Sequence, residues 1–416
     1  MMDETTHIEL HGKRFTYEQY RGNPPSFALL FAAAYTRKSR ATCLCNGNHA
    51  QLYLTYRSGI YFLARMPETG HQHADHCPFY ESPTQQSGRS AYTEKAIVEK
   101  DGFYQINLGV PLTIKRELEL QERTTANPDS STSNASIKLL GVLHLLWQVS
   151  SNNRWFPILY GKPVTKRHWR NVAYFLTEAV SRIQSRNDEL SELLYIIPAF
   201  DKERYAEQHA HFLNFMHDVL ASGTEQAVKL KTPKQLKLVL GEIKSIEFAT
   251  FNYEVRFKEF GTKFYLNKEI YQRAADSYAL GLSSVKANDA RCIAVASVSS
   301  TKKGFFLIEN LVLMPATQNY IPFDSSYEKR IADLLVEQSR KFEKPLRYDH
   351  QQLTLPDFEL LDTHTRIPME IYGMVSNVDY NERKRKKTAI YRDSGTPHWS
   401  WDLTHQVTPP SFPAPS

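Results

Sequence analysis

The chain has 416 residues, of which 41 % are apolar and 12 % aromatic, enough for about two to four globular domains with real cores. Its formal net charge of +6 is mildly basic, which admits nucleic acid as a partner without requiring one. Four cysteines exclude a disulfide framework, and the longest early apolar run, Phe27 to Tyr35, is too short to span a bilayer. Residues Met1 to Phe15 lack the apolar core and cleavage pattern of a secretory signal. The expectation is a cytoplasmic protein with reduced thiols and no membrane partner.

In chain order, the first feature is a cysteine and histidine cluster. Cys43 and Cys45 are one residue apart, and a histidine-rich turn, His71-Gln72-His73-Ala74-Asp75-His76, leads to Cys77. Between the pairs, Ala50–Thr55 and Gly59–Ala64 look like the strands of a hairpin turned at Arg57-Ser58-Gly59. Four soft or borderline ligands in two close pairs suit a tetrahedral zinc ion that clips the ends of a small hairpin. The expected ligands are Cys43, Cys45, His73 and Cys77. His73 is favoured because three intervening residues allow a tight turn, although His71 and His76 stay open as the fourth ligand. With four protein ligands the site is structural; the alternative is three reduced thiols beside a solvated histidine turn.

The module spans 1–122, and Glu122 to Ser136 (ERTTANPDSSTSNAS) reads as a linker. A helical block follows over 137–225. Leu139, Leu143, Leu146 and Trp147 recur at helical spacing, as do Trp169, Val172, Phe175, Leu176 and Ala179 after a cap at Thr165. A third helix is expected from Lys202 to Leu220. The basic stretch Lys166, Arg167, His168, Arg170 fits either a helix-turn-helix or winged-helix module reading DNA, or a plain helical core with a solvated basic end. The segment 236–318 is β-rich, with a helix from Tyr271 to Leu280, and Cys292 lies in an apolar run as a buried, inert thiol.

Most of the chemistry falls in 320–405. A helix from Ser325 or Ser326 carries Glu328 in its first turn. Strand-like Leu353–Phe358 contains Pro356-Asp357, Ile367–Gly373 contains Glu370, and a basic helix holds Arg383-Lys384-Arg385-Lys386-Lys387. Twelve residues separate Asp357 from Glu370, so a hairpin would bring both carboxylates to one end of adjacent strands. Two such groups in a cleft repel each other unless a divalent cation relieves them. Mg2+, which takes one or two carboxylates and completes its shell with water and phosphate, suits that role. Five successive cations favour phosphate contacts, which makes Arg383, Lys384, Lys386 and Lys387 candidate DNA-binding residues; the alternative is a solvated helix face. Trp399 and Trp401 alternate on a closing strand, where they read as packing residues; the alternative is a pair of base-stacking platforms. Residues 406–416 are expected to be a disordered tail.

This order of motifs resembles the restriction-endonuclease-like (PD-(D/E)xK) nuclease superfamily over roughly 320–405. The resemblance implies an α/β nuclease core in which Glu328 is the helical acid, Asp357 the metal-binding aspartate and Glu370 the acid of the third motif. The superfamily's lysine two residues after that glutamate is here Tyr372, which leaves Lys384 or Lys387 on the following helix as the substitute. The whole chain also resembles an uncharacterised bacterial family with three N-terminal cysteines, carried on conjugative and integrative elements. The residues that carry it are Cys43-Leu44-Cys45, His73 to Cys77, Leu355-Pro356-Asp357-Phe358, Glu370-Ile371-Tyr372-Gly373 and Tyr380 to Lys387. The expected fold is α+β and multidomain: a zinc-clipped hairpin, a helical block, a β-rich segment and a nuclease-like core. The expected function is Mg2+-dependent DNA processing. The alternative is a non-catalytic nucleic-acid-binding or assembly factor on a degenerate nuclease fold.

Overall fold

The computed structural model describes residues 6–45, 47, 49–57, 60–66, 69, 72–74, 77–79, 96–100, 103–114, 136–159, 162–185, 188–346, 355–373 and 378–416. The fold is mixed α and β. It divides into two compact units, one built from Met1–Gln105, Asn153–Thr165 and Arg330–Ser416, the other from Ile106–Asn152 and Lys166–Lys329. No helix among the described residues is long and apolar enough to cross a membrane.

The N-terminal part of the first unit is a five-stranded antiparallel sheet. Strands β1 (His7–Leu10), β2 (Lys13–Thr16), β3 (Ala41–Cys43), β4 (Gln51–Arg57) and β5 (Ile60–Arg65) lie in the order β2-β1-β3-β4-β5. The expected hairpin is β4–β5, with Arg57 opposite Ile60. Its turn residues, Ser58 and Gly59, lie outside the described residues. Helix α1 (Ala28–Thr36) puts Phe31 and Ala34 into a core with Ile8, Leu52 and Leu63, and Cys43 and Cys77 belong to the same core.

The second unit opens with α2 (Leu139–Val149) and α3 (Trp169–Val180). Helix α2 is apolar on nearly every face, and Leu139, Leu143, Leu145 and Trp147 are all buried. Helix α3 starts after His168 rather than at a Thr165 cap, and Arg167 is drawn inward, where its guanidinium donates to the Asn152 carbonyl at 2.7 Å. Strand β7 (Leu194–Ile196) follows; β6 is the short strand Arg154–Trp155, which the chain returns to the first unit. The expected third helix is broken at Met216 into α4 (Tyr205–Phe215) and α5 (His217–Gly223).

The β-rich segment forms a closed barrel. Strands β8 (Lys237–Ala249), β9 (Asn252–Phe257) and β10 (Lys263–Leu266) form an antiparallel meander. Helices α6 (Lys268–Ser277) and α7 (Ala279–Lys286) lead to β11 (Ala290–Ser300) and β12 (Phe306–Thr317). Strand β12 pairs parallel with β10 and antiparallel with β11, and β11 pairs back onto β8, closing the ring β8-β9-β10-β12-β11-β8. The 13-residue β8 serves three neighbours: its first half pairs antiparallel with β11 and in parallel with β7, and a bulge between Ile243 and Ser245 bends it towards β9. Its interior is packed with Val239, Val255, Phe257, Phe264 and Ile308. Gly241 sits where β8 turns: a Cβ there would lie 2.8 Å from Ile197 Cδ1 and 2.9 Å from Phe257 Cδ1.

The chain ends as α8 (Ser326–Glu337), β13 (Phe342–Glu343), β14 (Phe358–Leu360), β15 (Ile367–Tyr372), α9 (Val378–Asp393) and β16 (Trp399–Asp402). The sheet order is β16-β15-β14-β13-β6, antiparallel from β6 to β15, with β16 parallel to β15. The tail expected to be disordered is instead held in place. Trp399 Nε1 donates to the Ser411 carbonyl at 3.1 Å, Phe412 packs on the Trp399 ring, and the Ser416 N–H bonds to the Asp362 carbonyl.

Gly241→Val overpacks the bend of β8 and is expected to cost about 1–3 kcal/mol. Chemical denaturation read at the barrel checks this, with Gly47→Ala, which meets nothing within 4 Å, as the neutral control.

Candidate functional site

Two clusters of chemically capable side chains stand in the first unit. In the first, Cys43 ends β3, Cys45 follows it, and the segment after β5 returns His73 and Cys77 to the same place. One ligand atom from each of the four lies within 4.8 Å of every other. Cys43 Sγ is 3.6 Å from Cys77 Sγ, and His73 Nδ1 is 3.6 Å from Cys77 Sγ and 3.7 Å from Cys45 Sγ. All four cysteines are free, and 3.6 Å is far beyond a disulfide bond. Around a tetrahedral ion with sulfur ligands at about 2.3 Å, the ligand–ligand edge is about 3.8 Å. The observed spacing therefore fits such an ion. Backbone N–H groups of Ala74 and Phe79 point at Cys45 Sγ (3.2 Å) and Cys77 Sγ (3.5 Å), as donors to thiolates do. His73 is buried, and its Nε2 has no hydrogen-bond partner among the described residues. His71 and His76 lie outside the described residues.

The three thiols push one another's titration in opposite directions. Hydrogen bonds from Cys43 and Cys77 hold Cys45 far below the ordinary thiol range. The hydrogen bond to Cys45 pushes Cys43 up to about 12, and burial pushes Cys77 well up. A divalent cation removes this conflict by stabilising all three thiolates.

The second cluster is acidic and lies on β14, β15 and α9. Asp357, just before β14, is placed by two hydrogen bonds that bracket Glu370: its N–H donates to the Met369 carbonyl (3.0 Å), and its Oδ2 accepts the Ile371 N–H (2.7 Å). Phe358 pairs with Met369, so the hairpin brings the two acids side by side, as the loop length implies. Glu370 is 1 % exposed. Lys387 Nζ donates to Glu370 Oε2 at 2.8 Å and to the Leu355 carbonyl at 2.7 Å, and Tyr391 donates to Glu370 Oε1 at 2.7 Å. Burial, then the charge of Asp357, pushes Glu370 up to about 7 against the opposing pull of Lys387 and Tyr391. As donors, Asp357 and Glu370 suit a hard cation such as Mg2+. In this arrangement the Lys387 amine supplies the positive charge at Glu370.

Lys384 stands one turn earlier on α9. It is paired with Asp402 on β16, and its amine lies over the Tyr372 ring, 4.7 Å from the centroid. Burial pushes Asp402 up, but Lys384 and Thr404 outweigh it and hold the carboxyl down at about 2. Lys387, expected among the phosphate-contacting cations, is instead a buried partner of Glu370, because positions 384, 387 and 391 fall on the helix face that meets the sheet. The side chains of Arg383 and Lys386 lie outside the described residues. Glu328 is buried in the first turn of α8: its Oε2 accepts the Asp324 N–H at 2.9 Å, and its N–H donates to Ser325 Oγ at 3.1 Å. Sequence reasoning missed Tyr391 and Asp402; the signal for Tyr391 was its position four residues after Lys387.

A family described as protein of unknown function (DUF1173) matches residues 14–404, and the chain belongs to it. No curated protein matches the chain significantly.

Protein purified without added metal is expected to carry about one equivalent of divalent metal by elemental analysis. Cys45→Ser should reduce that content to near zero and lower the thermal midpoint, whereas Cys292→Ser should change neither. Glu370 gives a pH prediction. Its folded pKa of about 7 lies above its ordinary value of 4.5, so its contribution to stability is full below pH 4.5 and is lost as pH rises through 7. The midpoint of the wild type relative to Glu370→Gln should therefore fall between pH 5 and pH 8, and a pH-independent difference would contradict the assignment.

Proposed function

We propose that the protein is a metal-dependent DNA-processing enzyme that hydrolyses phosphodiester bonds, with zinc in the Cys43, Cys45, His73, Cys77 site. The observation that carries this reading is the Lys387 amine, brought by α9 to Glu370 beside Asp357. It supplies from the next helix the amine that Tyr372 denies to the strand. Asp357 and Glu370 would hold Mg2+, which when bound polarises a phosphoryl oxygen and acidifies a water. Lys387 orients the attacking water and meets the negative charge that develops on the phosphate. Lys384 holds Asp402 and Tyr372 in register at the same end of the sheet. Four protein ligands leave a zinc ion no open position, so its role is to hold the N-terminal sheet and the return segment together. The role in a bacterial mobile element rests on the likeness of the whole chain to a family carried on such elements. Its setting is proposed as cytoplasmic.

The burial of Glu370 also fits a non-catalytic role. Glu370 is fully buried, and both its oxygens are engaged. On that reading the protein binds nucleic acid or assembles a complex without cutting. The two are separated by incubating the protein with plasmid, branched and single-stranded DNA in Mg2+. The enzyme reading expects cleavage that falls at least 100-fold in Asp357→Asn and in Lys387→Met, the loss typical of a transition-state donor. Absence of cleavage on all three substrates, or equal cleavage by the variants, sinks it in favour of the second reading.

A further inference from the structure

The barrel of the second unit has no part in the site above, and its surface carries an unexplained pairing of aromatic and cationic side chains. Its connectivity, three meandering strands, a helical crossover, then two strands that close the ring with β10 parallel to β12, is that of the five-stranded oligonucleotide-binding barrel. Connectivity alone assigns no ligand. The surface does. In such barrels the outer face of the second and third strands, flanked by the first and last loops, is the side open to a ligand. Here that face is β9–β10. The first loop joins β8 to β9, and the last is Thr301–Phe305 between β11 and β12.

Each loop leaves a phenylalanine in water. Phe251 is 85 % exposed and Phe305 is 52 % exposed, and neither contributes to the barrel interior. Phe305 lies edge-on to Tyr265 of β10, with ring centroids 5.9 Å apart, which ties the last loop to the outer face of that strand. Between the two loops, Arg256 and Lys263 stand opposite each other on β9 and β10. Both pair with Glu254, at 2.6 Å and 3.1 Å, and both stay about half exposed. Lys302 and Lys303 are exposed in the last loop. Four cations, Arg256, Lys263, Lys302 and Lys303, stand on this face and its last loop, against Glu254 between the strands and the exposed Glu247 and Glu259 at its margins. From Phe251 to Arg256 the strand rises about 17 Å, room for several stacked nucleotides.

We propose that this face binds single-stranded nucleic acid, with Phe251 and Phe305 as base-stacking platforms and Lys302, Lys303, Arg256 and Lys263 along the phosphates. Exposed bases offer a π-face to each ring, and a single strand can bend across a convex barrel between two loops. A duplex hides its bases and offers only its phosphates, so the aromatic residues would gain nothing from it. The inference goes beyond the hydrolytic reading and does not depend on it.

The test is fluorescence anisotropy of a labelled oligothymidylate with the full-length protein in buffer free of Mg2+, competed by single-stranded RNA of the same length and by duplex DNA. Binding is expected to be salt-sensitive and competed at least tenfold better by single strands than by duplex. RNA and DNA competing equally would mean that base and phosphate alone are read; a preference for either would identify the natural strand. Phe251→Ala and Phe305→Ala, both on exposed loops, should each weaken binding about 5-fold or more. The Lys302→Ala, Lys303→Ala pair should reduce the slope of log K against log salt by about 1.4. Circular dichroism checks that each variant is folded. Wild-type affinity in the phenylalanine variants, duplex competing as well as single strands, or no binding by the wild type would overturn the proposal. Cleavage plays no part in this readout, so its failure and that of the hydrolytic reading are separately visible.

Discussion

A charge taken out of water has to be met by another charge or by several hydrogen-bond donors, and each part of this protein is arranged around one such encounter. In the barrel, Glu242 is 3 % exposed and is met by Arg291 through both oxygens, by Lys258 and by the Tyr320 hydroxyl. In the C-terminal sheet, Glu343 lies between Arg154 and Arg366 and accepts from Asn153. Burial pushes its carboxyl up, and the two arginines more than offset this. In the N-terminal sheet, three thiols and an imidazole converge where a cation would complete them. Glu370 differs from these. It is met by one amine and one hydroxyl while a second carboxylate stands beside it, and it is pushed up to about 7. An incompletely compensated acid pair beside a buried amine is the kind of arrangement expected where an ion or a phosphate has work to do.

The geometry of that pair follows from simple rules. A hairpin register sets Asp357 against Glu370, and helical spacing sets Lys384, Lys387 and Tyr391 on one face of α9. A helix crossing over β15 before β16 then turns that face onto the sheet, so cations that look solvated in a linear reading become internal partners. This is why Tyr372 does not leave the site without a cation. Lys384 covers its ring, and Lys387 reaches the neighbouring carboxylate.

What was legible in the sequence was local. Two ligand pairs flanking a hairpin, the hairpin that sets Asp357 beside Glu370 and the helical stripes of α2 and α3 all depend on contacts close in sequence, although the strand expected over Leu353–Phe358 begins only at Phe358. The barrel was not legible as a barrel. Its closure needs Phe264 to pair with Phe306 and Leu240 with Val295, contacts that no alternation of apolar residues specifies. The inward turn of Arg167 was equally hidden, because a basic run reads as solvated unless the Asn152 carbonyl is known to lie behind it. The ordered tail was missed because its partners, Trp399 and Asp362, lie on elements that a composition rule cannot bring to it. Nor could boundaries drawn along the chain reveal that Met1–Gln105 and Arg330–Ser416 belong to one compact unit.

The most direct measurement is a crystal structure of the full-length protein soaked in Mn2+, whose anomalous signal locates the ion without reference to activity. The account predicts a manganese ion bound by Asp357 and Glu370, with the Lys387 amine shifted off Glu370 Oε2 towards the ion's open side. Manganese absent from that pair at saturating concentration, with the contacts of Lys387 and Tyr391 to Glu370 unchanged, would contradict it.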